Sequence, residues 1–116
     1  MGTSRSNNWT ACALVFSGRP SPTWPLASTA ALRLIGLWSA LPATDNAAPN
    51  TPKLGYAGCV LEDGAGTEWR AHDGVAVSTS GTTIETRADT ERRFERGILA
   101  TAPADVLPPR IVLQFF

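Results

Sequence analysis

Residues 59–77 read Cys-Val-Leu-Glu-Asp-Gly-Ala-Gly-Thr-Glu-Trp-Arg-Ala-His-Asp-Gly-Val-Ala-Val, and the register of this stretch decides the fold. Short apolar runs flank two glycine-containing turns, which is typical of an antiparallel meander. We predict that residues 64–66 form a three-residue hairpin loop, so that Leu61 lies opposite Trp69 in the next strand. This register places both large side chains on one side of the sheet.

The second turn sets the register of the third strand. We predict that residues 72–74 form another three-residue loop, with Gly74 in the left-handed conformation, so that Trp69 lies opposite Val77. A two-residue turn would put Trp69 and Val77 on opposite faces, because a shift of one residue inverts a whole strand. The predicted inward face consists of Cys59, Leu61, Trp69, Ala71, Val75 and Val77.

The same register turns Tyr56, Val60 and Arg70 outward and places His72, the only histidine, at a loop tip. A single exposed histidine is most often a titrating surface group rather than a ligand or a base. We therefore expect His72 to be solvated. Residues 78–87, which are rich in Thr and Ser, are expected to extend the third strand before leaving the sheet.

Two amphipathic helices are predicted, one before and one after this meander. The first begins at Ala27 or Ser28 and ends before Pro42, since its apolar residues recur at helical spacing up to that proline. The second spans residues 90–101, with Asp89 as its N-cap. Its predicted outer face carries the charged residues Glu91, Arg92, Arg93, Glu95 and Arg96.

A strand over residues 10–16 follows a flexible terminus of residues 1–9, and a proline-rich connector joins this strand to the first helix. Pro20 and Pro22 restrict the backbone of the connector, so it can hold Arg19 and Trp24 in fixed positions. One interpretation is a rigid link in which Trp24 caps the core. The other is a recognition loop, in which Arg19 binds an anionic group beside the indole of Trp24.

The connector also carries a resemblance. Ser17-Gly-Arg-Pro-x-Pro-x-Trp24-x-Leu26, a helix ending in Leu41-Pro42, and Leu54-Gly55-Tyr56-x-Gly58 together resemble a pattern found in small uncharacterised bacterial proteins. The likeness covers roughly residues 15–103. It implies a shared fold and no particular activity.

Length and charge exclude several classes of function. The 116 residues suffice for one domain with its own core. Lys+Arg and Asp+Glu both number 10, so the positive field that attracts nucleic acid or an anionic membrane is absent, and we predict neither as a partner. Cys12 and Cys59 lie in apolar runs and are predicted to be buried thiols of a cytoplasmic protein; a disulfide between them would require an oxidising compartment.

These features predict an α+β domain over residues 10–103, in the order β-α-β-β-β-α, with two helices on one face of a mostly antiparallel sheet. Residues 104–116 contain Pro108-Pro109 and end in an apolar run. We interpret this segment as either an edge strand, which would complete the sheet, or an apolar tail.

Function is predicted to be a non-enzymatic binding or accessory role, because the chain lacks a phosphate-binding glycine loop, a metal-ligand cluster and any cofactor motif. The partner would be another protein or a small anionic ligand. The predicted binding residues, which combine arginine with aromatics as interaction surfaces do, are Arg19, Trp24, Tyr56 and Arg70. One alternative is an enzyme that uses Cys12 or Cys59 with His72. Another is a structural subunit or homo-oligomer that docks through Ile111, Leu113 and Phe115.

Overall fold

Six antiparallel strands and three helices make up the part of the chain that the computed structural model describes, residues 8–16, 20–45 and 55–116. The strands are β1 (Thr10–Phe16), β2 (Thr23–Pro25), β3 (Gly55–Glu62), β4 (Thr67–His72), β5 (Val75–Ser80) and β6 (Thr83–Ala88). They lie in the order β2-β1-β3-β4-β5-β6. The helices are α1 (Ser28–Ala40), α2 (Arg93–Ala100) and α3 (Pro109–Phe115).

The α+β class is confirmed, and the core lies between one face of the sheet and the three helices. Apolar side chains from β1, β3, β4 and β5 meet those of all three helices in a single buried cluster. The structure adds β2, β6 and α3 to the predicted order. No helix in the described ranges is long and apolar enough to cross a membrane.

The first hairpin has the predicted register. Leu61 pairs with Trp69 and Cys59 pairs with Ala71. The Asp63 carboxylate accepts the backbone N–H of Ala65 at 2.7 Å, and this bond stabilises the three-residue loop. Trp69 is buried as predicted, and its ring packs against that of Trp9 at a centroid distance of 5.9 Å. Trp9 therefore belongs to the core rather than to the flexible terminus that the sequence predicted; residues 1–7 of that terminus lie outside the described part.

The predicted register of the second hairpin is wrong. His72 pairs directly with Val75, so the turn has two residues, Asp73 and Gly74, with φ values of 52° and 86°. Asp-Gly is a favoured pair for a turn with two left-handed residues, and such a turn matches the twist of the flanking strands. Ala76 rather than a valine therefore faces the helices.

Helix α1 follows the prediction closely. Its buried side chains, Ala31, Leu34 and Trp38, form the expected apolar stripe. The helix ends one residue before Leu41, whose N–H bonds to the carbonyl of Trp38, and Pro42 follows. The polar composition of residues 43–53 predicts a surface loop, most of which lies outside the described part of the chain.

Helix α2 begins three residues later than predicted. Arg92 precedes it with φ of 58°, a left-handed conformation that interrupts the helical path. Asp89 acts from further upstream: its two carboxylate oxygens accept the N–H groups of Phe94 at 3.1 Å and Glu95 at 3.0 Å. Glu95 was expected on the outer face of the helix. That expectation is wrong, since Glu95 is only 1% exposed.

Residues 78–87 do more than extend the third strand. Gly81 adopts φ of 60°, and the chain reverses to form β6, which pairs with β5 along its full length. The segment after α1 then runs beside the end of β6. Thr44 donates its N–H to Thr86 at 3.1 Å, and Ala88 donates its N–H to Pro42 at 2.8 Å.

The C-terminal segment is neither an edge strand nor a free tail, because residues 109–115 form α3. Pro109 occupies the first turn of the helix, where a backbone N–H would have no partner within the helix, so the absence of an N–H in proline does not weaken it. Ile111 and Phe115, four residues apart, are buried in the domain's own core, whereas Leu113 is 84% exposed. The three residues predicted as an oligomer contact therefore do not form one exposed surface.

Candidate functional site

The four predicted binding residues do not form one exposed surface. Arg19 lies outside the described residues. Trp24 is 2% exposed, and its indole N–H donates to the Thr101 hydroxyl at 2.8 Å, so it caps the core as the rigid-link interpretation held. Arg70 pairs with Val60 and Val77 and projects from the face of the sheet opposite to that of Trp69. Tyr56 belongs to a separate, inward-facing group.

A bulge in β3 turns Tyr56 inward. Ala13 pairs with Cys59, but Val15 pairs with Tyr56, so between these pairs one residue of β1 lies opposite two of β3. Gly58 lies inside the bulge with φ of 105°, a conformation that glycine adopts without strain. The extra residue shifts the alternation of the strand by one and brings the Tyr56 ring to the helix-covered face.

The absence of a side chain at Gly58 also lets β4 approach closely. A Cβ at this position would lie 2.5 Å from the Ala71 carbonyl oxygen and 2.7 Å from the His72 Cβ. His72 is the last residue of β4, and its side chain is 18% exposed. The prediction of a solvated histidine at a loop tip is therefore wrong.

Tyr56, Glu95 and His72 meet where β3, α2 and the end of β4 come together, and we call them the Tyr56–Glu95–His72 cluster. The Tyr56 hydroxyl donates a hydrogen bond to Glu95 Oε2. His72 Nδ1 lies 3.9 Å from the same oxygen. The Tyr56 and His72 rings are edge to face, with centroids 5.7 Å apart. One carboxylate oxygen thus faces two polar side chains on adjacent strands.

Burial shifts the proton affinity of each member of the cluster. It raises the pKa of Glu95 to about 7, although the Tyr56 hydrogen bond and the Arg92 charge act in the opposite direction. The pKa of the Tyr56 phenol is raised, by burial first and then by Cys59 and Glu95. Burial lowers the pKa of His72. Glu95 therefore changes charge near neutral pH, where an exposed glutamate is fully ionised.

The thiol of Cys59 lies beside this cluster but is not activated by it. Cys59 is fully buried, and its Sγ donates to the Glu95 backbone carbonyl at 3.6 Å. Its pKa is raised, first by burial and next by the charge of Glu95. A buried thiol with a raised pKa is a poor nucleophile. Both cysteines are free, and Cys12, on β1, is half-buried.

An exposed ion pair joins two of the segments next to the cluster. Asp73, in the β4–β5 turn, accepts a hydrogen bond from Arg92 at 3.0 Å, which joins that turn to the start of α2. Within the cluster, Glu95 Oε1 and His72 Nδ1 are buried and have no hydrogen-bond partner in the described ranges. No group of three or more His, Cys, Asp or Glu side chains that could hold a metal ion occurs there either.

A second feature is an apolar groove of about 340 Å³ between the end of α2 and α3, which we call the α3 groove. Two of its lining residues, Val112 and Phe116, are large hydrophobic side chains that stay exposed, as does Leu113 on the same helix. The residues that line the groove are Leu99, Ala100, Ala102, Pro103, Ala104, Asp105, Leu107, Val112 and Phe116.

The sequence analysis did not predict that Glu95 belongs to a buried polar site, nor that Phe115 belongs to the core. A signal for Glu95 was present, since Glu95 precedes Ile98 and Leu99 by three and four residues and shares their helical stripe. Its burial could have been inferred from that spacing. Phe115 gave no comparable signal, because an apolar run next to two prolines fits a strand as well as a short helix.

Comparison of the chain with protein-family models, with curated proteins and with solved structures finds no match.

Proposed function

We propose that this protein is a non-enzymatic binding protein that holds a hydrophobic segment of another polypeptide in the α3 groove. The observation that carries this proposal is the split character of α3. Ile111 and Phe115 fix the helix to the core, whereas Val112, Leu113 and the neighbouring Phe116 stay exposed. A surface that keeps large apolar side chains in water beside a groove is typical of a protein-binding site.

The lining of the groove favours a polypeptide over an anion as the occupant. Asp105 is the one charged residue among those that line it in the described part of the chain. An anionic ligand would meet a negative charge there and no cation. An apolar peptide side chain would instead cover Val112 and Phe116 and release the water in contact with them.

The state of Cys59 and Tyr56, the two candidate nucleophiles in or beside the Tyr56–Glu95–His72 cluster, supports a non-enzymatic role. The Cys59 thiol is held in its protonated form, and the Tyr56 hydroxyl is engaged with Glu95. We place the protein in the cytoplasm, since free thiols persist in a reducing compartment. The resemblance to small bacterial proteins stays a prediction.

The test uses peptides of defined sequence. A display library of random dodecapeptides is selected against the folded protein, and enriched peptides are then synthesised and titrated. We expect them to be rich in large apolar residues and to bind Phe116→Lys at least about tenfold more weakly than wild type, because a buried charge opposes apolar contact. Phe116 lines the groove and is 60% exposed, so the substitution leaves the core intact.

Ile84→Lys is the matched control. Ile84 is an apolar residue that is 67% exposed, and it lies on β6 rather than on α3. Enriched peptides that bind Phe116→Lys as well as wild type, or that lose binding to Ile84→Lys instead, would contradict the proposal. A concentration-dependent dimer in sedimentation that is abolished by Phe116→Lys would identify a second copy of this chain as the occupant.

A further inference from the structure

One side chain connects the buried carboxyl group to the C-terminal helix. The Tyr56 hydroxyl donates to Glu95 of α2, and the edge of the Tyr56 ring packs against Phe115 of α3, with centroids 5.6 Å apart. Phe115 is one of the two buried residues that hold α3 in place. A change in the charge of Glu95 therefore acts on a residue that contacts an anchor of α3.

We propose that the Tyr56–Glu95–His72 cluster is a proton-operated latch: α3 stays docked while Glu95 is protonated and opens more often once Glu95 has lost its proton.

An ionised Glu95 is poorly solvated in the closed structure. Its side chain is 1% exposed, its Oε2 has the Tyr56 hydroxyl as a donor, and its Oε1 has no hydrogen-bond partner in the described ranges. A buried carboxylate needs several donors or a close cation to offset the loss of water. Glu95 in its ionised form is therefore stabilised by any motion that admits water.

The charged groups that face the cluster do not supply the missing cation. Asp89 and Asp73 are both negative and raise the pKa of Glu95 further. Arg92 acts in the favourable direction, but its guanidinium already pairs with Asp73 at 3.0 Å. From β4, Arg70 opposes protonation of His72. From β3, Cys59 contributes a thiol in its neutral form.

Among the elements around the cluster, α3 is the one that can move at the lowest cost. Strands β3 and β4 are each hydrogen-bonded on both sides within the sheet, and α2 is capped by the Asp89 carboxylate. Helix α3 has seven residues, no side-chain cap and two buried side chains. Local opening proceeds preferentially through elements with so few anchors.

Hydrogen exchange of the full-length chain, followed by mass spectrometry and corrected for the intrinsic pH dependence of exchange, measures this opening. Between about pH 6 and pH 8 we expect the opening equilibrium of residues 109–115 to rise about tenfold, as linkage to one buried acid with a pKa about 7 requires. Glu95→Gln keeps the site neutral and should remove this rise. Glu91→Gln, at a residue that is 70% exposed, should retain it.

Tyr56→Phe is the second variant, and it serves if Glu95→Gln does not fold. It keeps the ring against Phe115 but removes the donor to Glu95, so opening at pH 8 should exceed that of wild type. The latch is excluded if residues 109–115 show no rise with pH in wild type, or if the rise persists in Glu95→Gln. It is also excluded if residues 57–60 of β3 open in parallel, because the event would then be global unfolding.

The consequence for binding rests on the proposed function. Opening of α3 separates Val112 and Phe116 from Leu99 and so dismantles the α3 groove. Peptides selected at pH 6 should therefore bind more weakly at pH 8, and this loss should disappear in Glu95→Gln. Exchange without any peptide tests the latch alone, so failure of the groove to bind peptides leaves that result interpretable.

Discussion

At the residue scale, Gly58 determines which side chains reach the candidate site. Its φ of 105° creates the bulge that turns Tyr56 toward α2, and its missing side chain leaves room for His72. Gly66 provides a control, because it has a φ of 108° but no atom within 4 Å of a Cβ built there. An alanine would have a strained backbone at both positions, but only at Gly58 would it also collide with neighbouring atoms.

We expect Gly58→Ala to destabilise the protein by about 3 kcal/mol or more, since backbone strain adds to a collision with the Ala71 carbonyl oxygen. Gly66→Ala should cost about 1 kcal/mol, from strain alone. Urea unfolding followed by tryptophan fluorescence measures both values. Equal losses for the two variants would show that the close approach of β4 to Gly58 is not a constraint.

The burial of Glu95 could have been predicted from the sequence, but the residues that contact its side chain could not. Helical spacing from Ile98 and Leu99 places Glu95 on the inner stripe. The hydrogen bond between Tyr56 and Glu95 depends on the bulge in β3. A bulge adds one residue to a strand without changing the kind of residues that it contains, so the sequence pattern does not reveal it. Sequence patterns report the side of an element, whereas the pairing of Tyr56 with Glu95 depends on contacts between distant elements.

At the scale of elements, the register of each hairpin depended on its turn. The length of the Gly64-Ala65-Gly66 loop could be predicted, because a loop of three residues places the large apolar side chains of Leu61 and Trp69 opposite each other. At Asp73-Gly74 the same criterion failed, since the left-handed preference of the pair itself outweighed the alignment of Trp69 with Val77. The preference of the turn residues was the stronger of the two signals.

The packing of α1 against α2 predicts how the stability of the protein responds to alanine at the glycines of the two helices. A Cβ on Gly97 of α2 would lie 2.8 Å from Leu34 Cδ2 of α1, whereas a Cβ on Gly36 would meet no atom within 4 Å. Gly36→Ala should therefore stabilise the protein by about 0.5–1 kcal/mol through helix propensity. At Gly97→Ala the same gain should be offset by displacement of the buried Leu34.

Thermal unfolding by circular dichroism compares these two variants. A melting temperature that rises for Gly36→Ala and stays level or falls for Gly97→Ala is the expected result. An equal rise for both would mean that α1 and α2 are further apart than the structure shows.

At the scale of the whole molecule, the cluster makes stability depend on pH. The pKa of Glu95 rises on folding from 4.5 to about 7, so its contribution is complete below pH 4.5 and is lost as the pH rises through 7. His72 has the opposite sign: its pKa is lowered from 6.5, so its contribution is present above pH 6.5 and is lost as the pH falls below that value.

The difference between wild type and Glu95→Gln isolates the glutamate. The free energy of unfolding of the variant minus that of wild type should increase by about 2 kcal/mol between pH 5 and pH 8, because wild type loses stability as Glu95 ionises. Urea titrations at several pH values measure it, and Glu91→Gln should run parallel to wild type. A constant difference across this range would mean that Glu95 ionises in the folded protein as it does in the unfolded chain.

The outer borders of the sheet carry a final consequence. On one side, β2 has three residues and ends at Pro25, which has no N–H to donate. On the other side, the segment of residues 42–44 covers the end of β6. Ala88 donates its N–H to the Pro42 carbonyl, and the Thr86 carbonyl accepts the N–H of Thr44. In the described part of the chain, a foreign strand finds few main-chain groups with which to propagate the ladder, so stacking of molecules into fibrils is opposed at both rims.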